Sequence, residues 1–487
     1  MKLAVPLVVM LFAEALFLLL VLALDVLPFK YIVLLISALA IADAVIIALF
    51  NTPSKRGLRR LSGLIVLVLV MNLLLVGDFY VYSTYDTLSK ISGNKATWEY
   101  YYVLALEGGS YEEIDDIEGQ TIHAPEMDSK QLNEAKERLV TKESVSYANH
   151  PDFMSAAREI FDEDGNKQDN LVLLPKTNYK LVCENVKGYK KNTKILYKIK
   201  VKKRSNDNSK AVNVTEDPFN ILISGMDNWG TIEESNLSDV NMVMTVNPVS
   251  REILLTSIPR DSYIPFHSYG MKDKLTHTGI YGEEETKQTI EDFLGIDINY
   301  TFKVNFTMFC EVVDAIGGIR VYNDQDFYSH PKGWHYKEGW HNMDGHYALW
   351  FARERKSFKD GDMQRNKNQQ KVMKATIKKV TSSKVILTKY TDILNAVEDY
   401  MSTSLTDKDI KKLVKMQLSD MRGWDIKTAN VVGATGGAPC FSMGGQQLSV
   451  VFPSEESVNE AKEAIHDVMY PAENVKETDG ENKEKNN

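Results

Sequence analysis

Long apolar runs dominate the beginning of the chain. They cover residues 3–24, 31–50 and 61–76, and the first two are each interrupted by one acidic residue, Glu14 and Asp43. The third run continues into the aromatic stretch GDFYVY. A membrane-spanning helix needs about 17–25 predominantly apolar residues. The pattern therefore predicts a three-span membrane anchor at residues 1–82 rather than a cleavable signal peptide, which has a single short apolar segment.

The basic residues between the runs predict the orientation of the spans. The loop SKRGLRR, residues 54–60, is strongly basic, whereas the turn between the first two runs has one basic residue, Lys30. Loops rich in lysine and arginine stay on the cytoplasmic side of the membrane. We therefore expect a multi-pass protein of the cell membrane with a cytoplasmic N-terminus. Everything after about residue 80 would be extracellular, without access to ATP or the chromosome.

Two carboxyl groups interrupt the predicted spans. Glu14 and Asp43 both fall near the middle of the bilayer when counted from opposite faces. Ionisable groups at this depth are costly and are functional candidates by default. The alternative is a hydrogen-bonded contact between helices, and we favour it. At least one of the two carboxyls would then be protonated, because the spans contain no basic partner.

The chain after the spans divides into a linker and two domains. Residues 83–97 are polar and are interpreted as the linker. Residues 98–212 combine strand patterns such as WEYYYVLAL and KILYKIKVKKR with the helical pattern DSKQLNEAKERLV, which predicts a small α/β accessory domain. This domain shows no catalytic constellation.

The second domain, residues 213–470, again mixes strands with helices. The strand patterns FNILISGMD, VNMVMTV and EILLTSI precede helical patterns such as EEETKQTIEDFLG and TMFCEVVDAIGG. This succession predicts an α/β (α+β) domain with a central mixed sheet flanked by helices. Residues 471–487 are charged and poor in apolar residues, which is typical of a disordered tail.

Composition narrows the classes of function. The formal net charge of −9 argues against a nucleic-acid partner, which requires a basic face. Three cysteines, an odd number, provide no disulfide framework. Cys310 lies among apolar residues and is predicted to be a core residue rather than a reactive thiol.

Charged residues follow or precede several of the apolar elements in the second domain. Loops at the ends of elements carry function on a rigid scaffold. Carboxylates bind hard divalent cations, and clustered arginines bind phosphate. Together they suit phosphoryl transfer, in which positioning and charge neutralisation dominate. The residues are Asp227, Asp239, Arg260, Asp261, Arg353, Arg355, Asp362 and Arg365.

Spacing constrains which of these residues share a site. Arg353 and Arg355 are two positions apart, so they would not share a helical face and could meet in one site only if the chain is extended there. Arg365 and Gln369 are four positions apart and would share a helical face. Taken singly, each is more typical of an ordinary surface charge.

The order of these segments resembles the LytR–CpsA–Psr family. The resemblance covers residues 218 to about 470 and is closest to capsule-type streptococcal members, which have three spans and an accessory extracellular domain. It rests on NILISGMD, LSDVNMVMTVNP, LLTSIPRDSYIP, DKLTHTGIYG, FKVNFTMFCEVVDAIGGIRV, HNMDGHYALWFARERKSF and GDMQRNKNQQ.

The resemblance implies an activity. Family members transfer a glycopolymer, here a capsular polysaccharide, from a polyprenyl-pyrophosphate carrier to peptidoglycan and form a phosphodiester. The implied partners are the carrier-linked glycopolymer, peptidoglycan and membrane lipid, and the implied source is a Gram-positive bacterium. The enzyme class would be a glycopolymer phosphotransferase, with pyrophosphate hydrolysis as a side activity.

The resemblance also implies roles for individual residues. Asp227 and Asp239 match metal ligands for Mg²⁺ or Mn²⁺, and four arginines match phosphate-binding residues, assisted by Gln369 and Lys274. Arg260, Asp261 and Asp239 would be catalytic, with Asp261 either orienting Arg260 or serving the incoming hydroxyl. Four residues would line a pocket for the polyprenyl tail, unless they are ordinary core. The arginines are Arg260, Arg353, Arg355 and Arg365, and the pocket residues are Phe302, Val304, Phe306 and Phe309.

Two positions qualify the resemblance. The family usually has an arginine two residues before the second aspartate, and this chain has Leu237 there. One phosphate contact would therefore be missing. His277 is a conceivable base, but a structural role is favoured.

Two other functions stay open. A non-catalytic protein that binds the lipid carrier or the cell wall is compatible with Leu237. A membrane-bound attenuator of transcription would need a basic cytoplasmic domain, and the predicted topology leaves only SKRGLRR inside.

Overall fold

The computed structural model describes most of the 487-residue chain. The described residues are 4–51, 57–91, 97–126, 129–162, 164–203, 210–230, 237–382, 385, 389–397, 400 and 402–471. Residues 54–56 of the predicted basic loop and 472–487 of the predicted tail lie outside them.

Three long helices form the beginning of the structure: α1 (Ala4–Leu24), α2 (Phe29–Asn51) and α3 (Gly57–Ile91). Their apolar segments of 20, 22 and 27 residues are long enough to cross a membrane, which confirms the three predicted spans. Glu14 is buried, and Asp43 of α2 lies close enough to interact with its carboxyl group. The favoured contact between helices is therefore confirmed.

The third helix is longer than its apolar segment. Residues 83–91, which we predicted to begin the polar linker, belong to α3, so that boundary was wrong. A contact with a later helix of the chain supports this polar extension. Thr87 Oγ1 lies 3.2 Å from Asn395 Oδ1 on helix α12 (Tyr390–Val397). Contacts of this kind outweigh local polarity, which was the only guide in the sequence.

The accessory unit is a five-stranded mixed sheet with helices packed against it. Its strand order is β3-β2-β4-β1-β5, with β2 parallel to both of its neighbours and β1 antiparallel to both of its own. The predicted helix is confirmed, and it buries Leu132, Ala135 and Leu139. The elements are β1 (Thr97–Leu106), β2 (Thr121–Pro125), α4 (Lys130–Glu143), β3 (Ser146–His150), α5 (Phe153–Arg158), β4 (Leu171–Pro175), α6 (Lys176–Asn185), α7 (Tyr189–Asn192) and β5 (Thr193–Lys203).

The second unit is built on a six-stranded mixed sheet. Its order is β16-β11-β6-β7-β8-β17, in which β7 is antiparallel to both of its neighbours and the β11/β6 and β8/β17 pairs are parallel. The strands are β6 (Phe219–Met226), β7 (Val240–Asn247), β8 (Glu252–Ile258), β11 (Tyr300–Asn305), β16 (Ser402–Thr403) and β17 (Asp425–Asn430).

Helices cover both faces of this sheet, which confirms the predicted fold class. Ile290 of α8 and Ile465 of α14 pack on one face. Met373 and Ile377 of α11 pack on the other. The helices of the unit are α8 (Glu283–Leu294), α9 (Phe306–Ala315), α10 (Gly345–Arg353), α11 (Gly361–Val380), α12, α13 (Asp407–Asp420) and α14 (Glu455–Met469).

Short antiparallel pairs complete the second unit. They are β9 (Tyr263–Pro265) with β10 (Lys272–Lys274), β12 (Ile319–Asn323) with β15 (Gly339–Met343), β13 (Phe327–Tyr328) with β14 (His335–Tyr336), and β18 (Gly433–Cys440) with β19 (Gln446–Pro453). Cys310 is buried in α9, as predicted for a core residue. Burial raises the pKa of this thiol to about 12.

A buried arginine links the sheet to α13. Arg251 donates to both carboxylate oxygens of Asp420, at 2.9 and 3.0 Å, and to Gln417 Oε1 at 3.0 Å. Its guanidinium also lies 5.1 Å from the centre of the Trp424 ring. These groups hold α13 against the turn between β7 and β8.

Arg251→Ala is expected to destabilise the protein. Asp420 is 40% exposed and stays solvated, so the loss should be about 2 kcal/mol rather than the full cost of an unpaired buried charge. A thermal melt of the detergent-solubilised chain should show a clearly lower Tm. Arg320→Ala on exposed β12 is the control, and an equal Tm for both variants would contradict the role of Arg251.

Candidate active site

Neighbouring strand ends bring three of the predicted charged residues together. Asp227 follows the last residue of β6, and Asp239 precedes the first residue of β7. Arg260 comes two residues after the end of β8. Since Gly225 pairs with Val240, and Asn241 with Ile258, these ends lie at one edge of the sheet. The backbone N–H of Asp239 donates to the carbonyl of Gly225 at 2.8 Å and fixes this corner.

Two helices bring the remaining predicted phosphate ligands to the same edge. Arg353 is the last residue of α10, and the chain becomes extended at Glu354, which has φ −65° and ψ 132°. Arg353 and Arg355 therefore both reach one site, as the extended alternative required. Arg365 and Gln369 share a face of α11 and line that site as well.

All of these residues line a single cavity of about 500 Å³. The two predicted aspartates and four predicted arginines line it together with Glu354 and Lys356, and its other walls are largely apolar. The predicted residues that line it are Asp227, Asp239, Arg260, Arg353, Arg355, Arg365, Gln369, Val304, Phe306 and Phe309.

Both predicted carboxylates of the cavity contact an arginine. Arg260 Nη1 pairs with Asp239 Oδ1. Arg353 Nη2 lies 3.2 Å from Asp227 Oδ1. Asp362 lies beside the cavity with its Oδ1 3.3 Å from Arg365 Nη2. The charges are thus held in place before any substrate enters.

The buried arginines retain unused donors. Among the described residues, the Nε groups of Arg260 and Arg365 have no hydrogen-bond acceptor although both atoms are buried. Burial would lower the pKa of Arg260, but Asp239 and Asp261 outweigh it and raise the pKa. Burial lowers the pKa of Arg365 and is only partly offset by Asp362. A buried donor without an acceptor is costly, which favours an anionic ligand here.

Asp261 and Lys274 lie behind Arg260. Neither lines the cavity, and the phosphate contact of Lys274 stays a prediction. Asp261 lies 3.7 Å from Arg260 Nε and 3.3 Å from Lys274 Nζ, so these two cations hold its carboxylate. The position suits the orienting role of Asp261 better than proton transfer from a bound hydroxyl, and its role in catalysis stays a prediction.

The apolar wall includes three of the four residues predicted for the lipid pocket. Val304, Phe306 and Phe309 line the cavity. Phe302 does not. It shares a face of β11 with Val304 but lies two residues farther from the end of the strand at the cavity, and it packs on the cluster of Met308 and Leu394. The guanidinium of Arg353 lies 4.1 Å from the centre of the Phe306 ring, where polar and apolar regions meet.

Trp350 and Lys356 are among the cavity residues that the sequence analysis did not single out. Trp350 lies on α10 one turn before Arg353, and its ring centre is 4.8 Å from that guanidinium. Lys356 lines the cavity directly after Arg355. The basic run in FARERKSF was a signal for Lys356, whereas Trp350 had the pattern of an ordinary core aromatic.

Leu237 lies away from the phosphate ligands. Its side chain is buried in an apolar cluster with Ile280 and residues of the accessory unit such as Phe153. The four arginines line the cavity without a contribution from this position.

His277 has the favoured structural position. It is buried, with Nδ1 2.7 Å from Asp273 Oδ1 and 3.1 Å from Ser442 Oγ, and it does not line the cavity. Burial would raise the pKa of Asp273, but His277 and Ser442 outweigh this effect and lower it. The cluster holds the segment that carries Lys274.

The depressed pKa predicts a pH-dependent contribution to stability. Ionised Asp273 stabilises the fold at neutral pH, and this contribution is lost as pH falls below about 4, towards the lowered pKa. Asp273→Asn should cost about 1–3 kcal/mol at pH 7, and the Tm difference from wild type should shrink on acidification. Asp292→Asn, at an exposed histidine pair, is the control. A constant difference between pH 7 and pH 3.5 would contradict this account.

The pair of carboxylates fits a hard divalent cation. Asp227 and Asp239 supply oxygen ligands from adjoining strand ends, and both line the cavity that holds the arginines. The Asp227 side chain is 43% exposed, so its oxygens are accessible.

Comparison with protein families identifies the family of this chain. The model of the LytR_cpsA_psr family matches residues 182–465. The chain belongs to this family. The match spans more than half of the chain and includes every arginine and carboxylate of the cavity, so the resemblance in the sequence is confirmed.

Two relatives of this LytR–CpsA–Psr protein share the same name. The "polyisoprenyl-teichoic acid–peptidoglycan teichoic acid transferase TagU" of Bacillus mycoides (strain KBAB4) is 36% identical over 200 residues, 41% of this chain and 64% of the relative. The protein of the same name from Enterococcus faecalis (strain ATCC 700802 / V583) is 34% identical over 201 residues, 41% of this chain and 65% of the relative. The chain thus matches less than two thirds of the length of these relatives.

Solved structures give similar matches. The crystal structure of protein gbs0355 from Streptococcus agalactiae is 27% identical, covers 54% of this chain and 91% of its own, and gives a TM-score of 0.46. The structure entitled "TagT bound to LI-WTA" is 25% identical, covers 54% of this chain and 96% of its own, and gives a TM-score of 0.43.

Proposed function

We propose that this LytR–CpsA–Psr protein transfers a cell-wall glycopolymer from a polyprenyl-pyrophosphate carrier to peptidoglycan. The observation that carries the proposal is the single cavity in which four arginines and two carboxylates meet an apolar wall. A lipid pyrophosphate has the same two parts, an anionic head and an apolar tail. The printed function of the TagU relatives supports this substrate class.

The arginines account for binding of the pyrophosphate. Arg260 and Arg365 offer buried Nε donors, and Arg353 and Arg355 line the same cavity, with Arg355 and Arg365 both beside Asp362. Planar guanidinium groups bind phosphate oxygens in pairs, and fixed charges in a partly buried site need little reorganisation during reaction. They neutralise the charge that accumulates on the leaving polyprenyl phosphate.

The proposed reaction is a phosphoryl transfer in which one bond to phosphorus forms and another breaks. The acceptor hydroxyl of peptidoglycan attacks the phosphorus attached to the glycopolymer and forms the new phosphodiester bond. The bond from that phosphorus to the bridging oxygen breaks, and polyprenyl phosphate leaves with the electron pair. The hydroxyl proton passes to a carboxylate, for which Asp239 in the cavity is better placed than Asp261 behind Arg260.

Asp227 and Asp239 would hold Mg²⁺ or Mn²⁺. A divalent cation neutralises phosphate charge when it is bound. The two carboxylates also keep Arg353 and Arg260 in place, and this contribution does not depend on a metal.

The apolar wall suits the polyprenyl tail. Val304 lines the cavity and belongs to an apolar cluster that also contains Leu24, the last residue of α1. Apolar contacts therefore run from the cavity to the end of a predicted span. A carrier lipid could enter the site without exposing its whole tail to water.

The proposed location follows from charge and contacts. The positive-inside rule places the N-terminus in the cytoplasm and the cavity outside the cell. Capsular polysaccharide is the proposed glycopolymer because the three spans and the accessory unit are shared with capsule-type members. The bacterium would be Gram-positive.

An assay of the purified chain tests the proposal. The full-length protein in detergent, supplied with a polyprenyl-pyrophosphate-linked glycopolymer, peptidoglycan and Mg²⁺, should produce peptidoglycan-bound polymer and an equal amount of polyprenyl phosphate. A non-catalytic binding protein would retain the carrier lipid without turnover. Release of polyprenyl phosphate without polymer attachment would show hydrolysis instead of transfer.

A further inference from the structure

A second charged cavity lies outside the proposed active site. It measures about 290 Å³, and none of its six lining residues lines the larger cavity. Four lysines and two aspartates form it. They are Asp25, Asp407, Lys408, Lys411, Lys412 and Lys415.

One face of α13 supplies all four lysines. They are spaced at three, four and seven residues from Lys408, which places them on the same side of a helix. Residues of α13 on other faces, such as Val414 and Leu418, pack against apolar neighbours. The helix is therefore amphipathic, with its polar face concentrated in positive charge.

Contacts with the spans place α13 at the surface of the membrane. Val26 and Tyr31, beside the turn between α1 and α2, pack against Leu418 of α13. Lys30 Nζ donates to the carbonyl of Ser419 at 2.6 Å. Lys411 lies 5.6 Å from the centre of the Tyr85 ring on α3. The helix thus contacts the ends of the spans, at the level where lipid headgroups lie.

The carboxylates satisfy only half of the positive charge. Asp25 pairs with Lys415 at 2.6 Å, and Asp407 pairs with Lys411 at 3.2 Å. Lys412 has a neutral partner, Asn213 Oδ1, at 3.4 Å. Within the described part of the chain, Lys408 has neither an ion pair nor a hydrogen bond. Two cationic groups therefore remain beside a cavity at headgroup level.

We propose that this cavity binds the phosphate of an anionic membrane lipid. Lysine binds phosphate as a mobile point charge, and juxtamembrane lysines are attracted to anionic headgroups. A bound lipid would fix α13, and with it the sheet, against the bilayer. The negative charge of the lipid phosphate would pair with Lys408 and Lys412, for which the described residues of the cavity provide no carboxylate partner.

Lipid binding to the full-length chain tests the proposal. Native mass spectrometry of the protein in neutral detergent, titrated with phosphatidylglycerol, should show one tightly retained lipid molecule that is lost when both lysines are changed. Lys408→Gln/Lys412→Gln should weaken its retention at least about tenfold. Lys190→Gln/Lys191→Gln, in exposed α7 of the accessory unit, removes the same charge and should leave retention unchanged.

A variant of Asp25 separates recognition from folding. Asp25→Asn frees Lys415 and keeps a residue that tolerates the positive φ of 53° at this position. It should retain phosphatidylglycerol at least as tightly as wild type. Weaker retention would show that these residues only hold the turn in place, and the proposal would fall.

Other probes identify the source of the phosphate. Phosphatidylcholine should not replace phosphatidylglycerol, and inorganic phosphate at equal concentration should not displace it. Equal retention of phosphatidylcholine would overturn recognition by charge. Displacement by inorganic phosphate would identify a free-anion site and overturn the assignment to a lipid.

Discussion

Arg260→Ala is expected to lower the rate of glycopolymer transfer about 100- to 1000-fold. The buried guanidinium contacts Asp239 and lies beside Asp261, and its Nε has no hydrogen-bond acceptor among the described residues. Removing it leaves phosphate charge unneutralised at the polar end of the cavity. The measurement is the initial rate of polymer attachment by the purified chain, with carrier lipid at saturating concentration.

Conservative and matched variants sharpen this prediction. Arg260→Lys keeps the charge but loses the planar fork, so it should recover only part of the rate. Arg320→Ala removes an exposed guanidinium that lies over Trp340, outside the cavity, and should keep the wild-type rate. If Arg260→Ala and Arg320→Ala have equal rates and equal Tm values, Arg260 has no role in the mechanism.

Asp239→Asn is expected to give the second largest loss, about 100-fold. The amide cannot accept the hydroxyl proton, binds a cation less well and no longer balances the charge of Arg260. The Mg²⁺ concentration for half-maximal rate should therefore rise together with the loss of rate. Initial rates over a Mg²⁺ titration separate these two effects.

A matched carboxylate provides the control for Asp239. Asp326 pairs with His335 at 2.8 Å on the exposed β13–β14 hairpin, and Asp326→Asn should leave both the rate and the Mg²⁺ requirement unchanged. If Asp239→Asn lowers the rate but leaves the Mg²⁺ requirement unchanged, the role of Asp239 is limited to its pairing with Arg260. An unchanged rate would contradict its place in the site.

The sequence predicted the features that depend on local pattern. The three spans follow from long apolar runs, and Asp227, Asp239 and Arg260 follow from the ends of short apolar strands. The common face of Arg365 and Gln369 follows from helical spacing. In each case the signal lies within a few residues, and tertiary contacts do not reverse it.

The features that the sequence left open depend on contacts between distant segments. Whether Arg353 and Arg355 converge depends on the extended backbone at Glu354. Phe302 is as apolar as the residues of the cavity wall but does not line the cavity, because it lies two residues farther along β11 from the cavity than Val304 does. The third helix extends to Ile91, where Thr87 meets α12. The lysine face of α13 could be proposed as a lipid site only from the contacts between this helix and the ends of the spans.

The most direct test of the transferase account measures wall-linked and shed glycopolymer in cells. The host lacks this protein and its redundant relatives, and receives wild type, Arg260→Ala, Asp239→Ala or Arg320→Ala at equal protein level. The account predicts that wild type and Arg320→Ala restore linkage to the wall, while the other two variants shed the polymer. Restoration by Arg260→Ala and Asp239→Ala to the wild-type level would contradict the proposed active site.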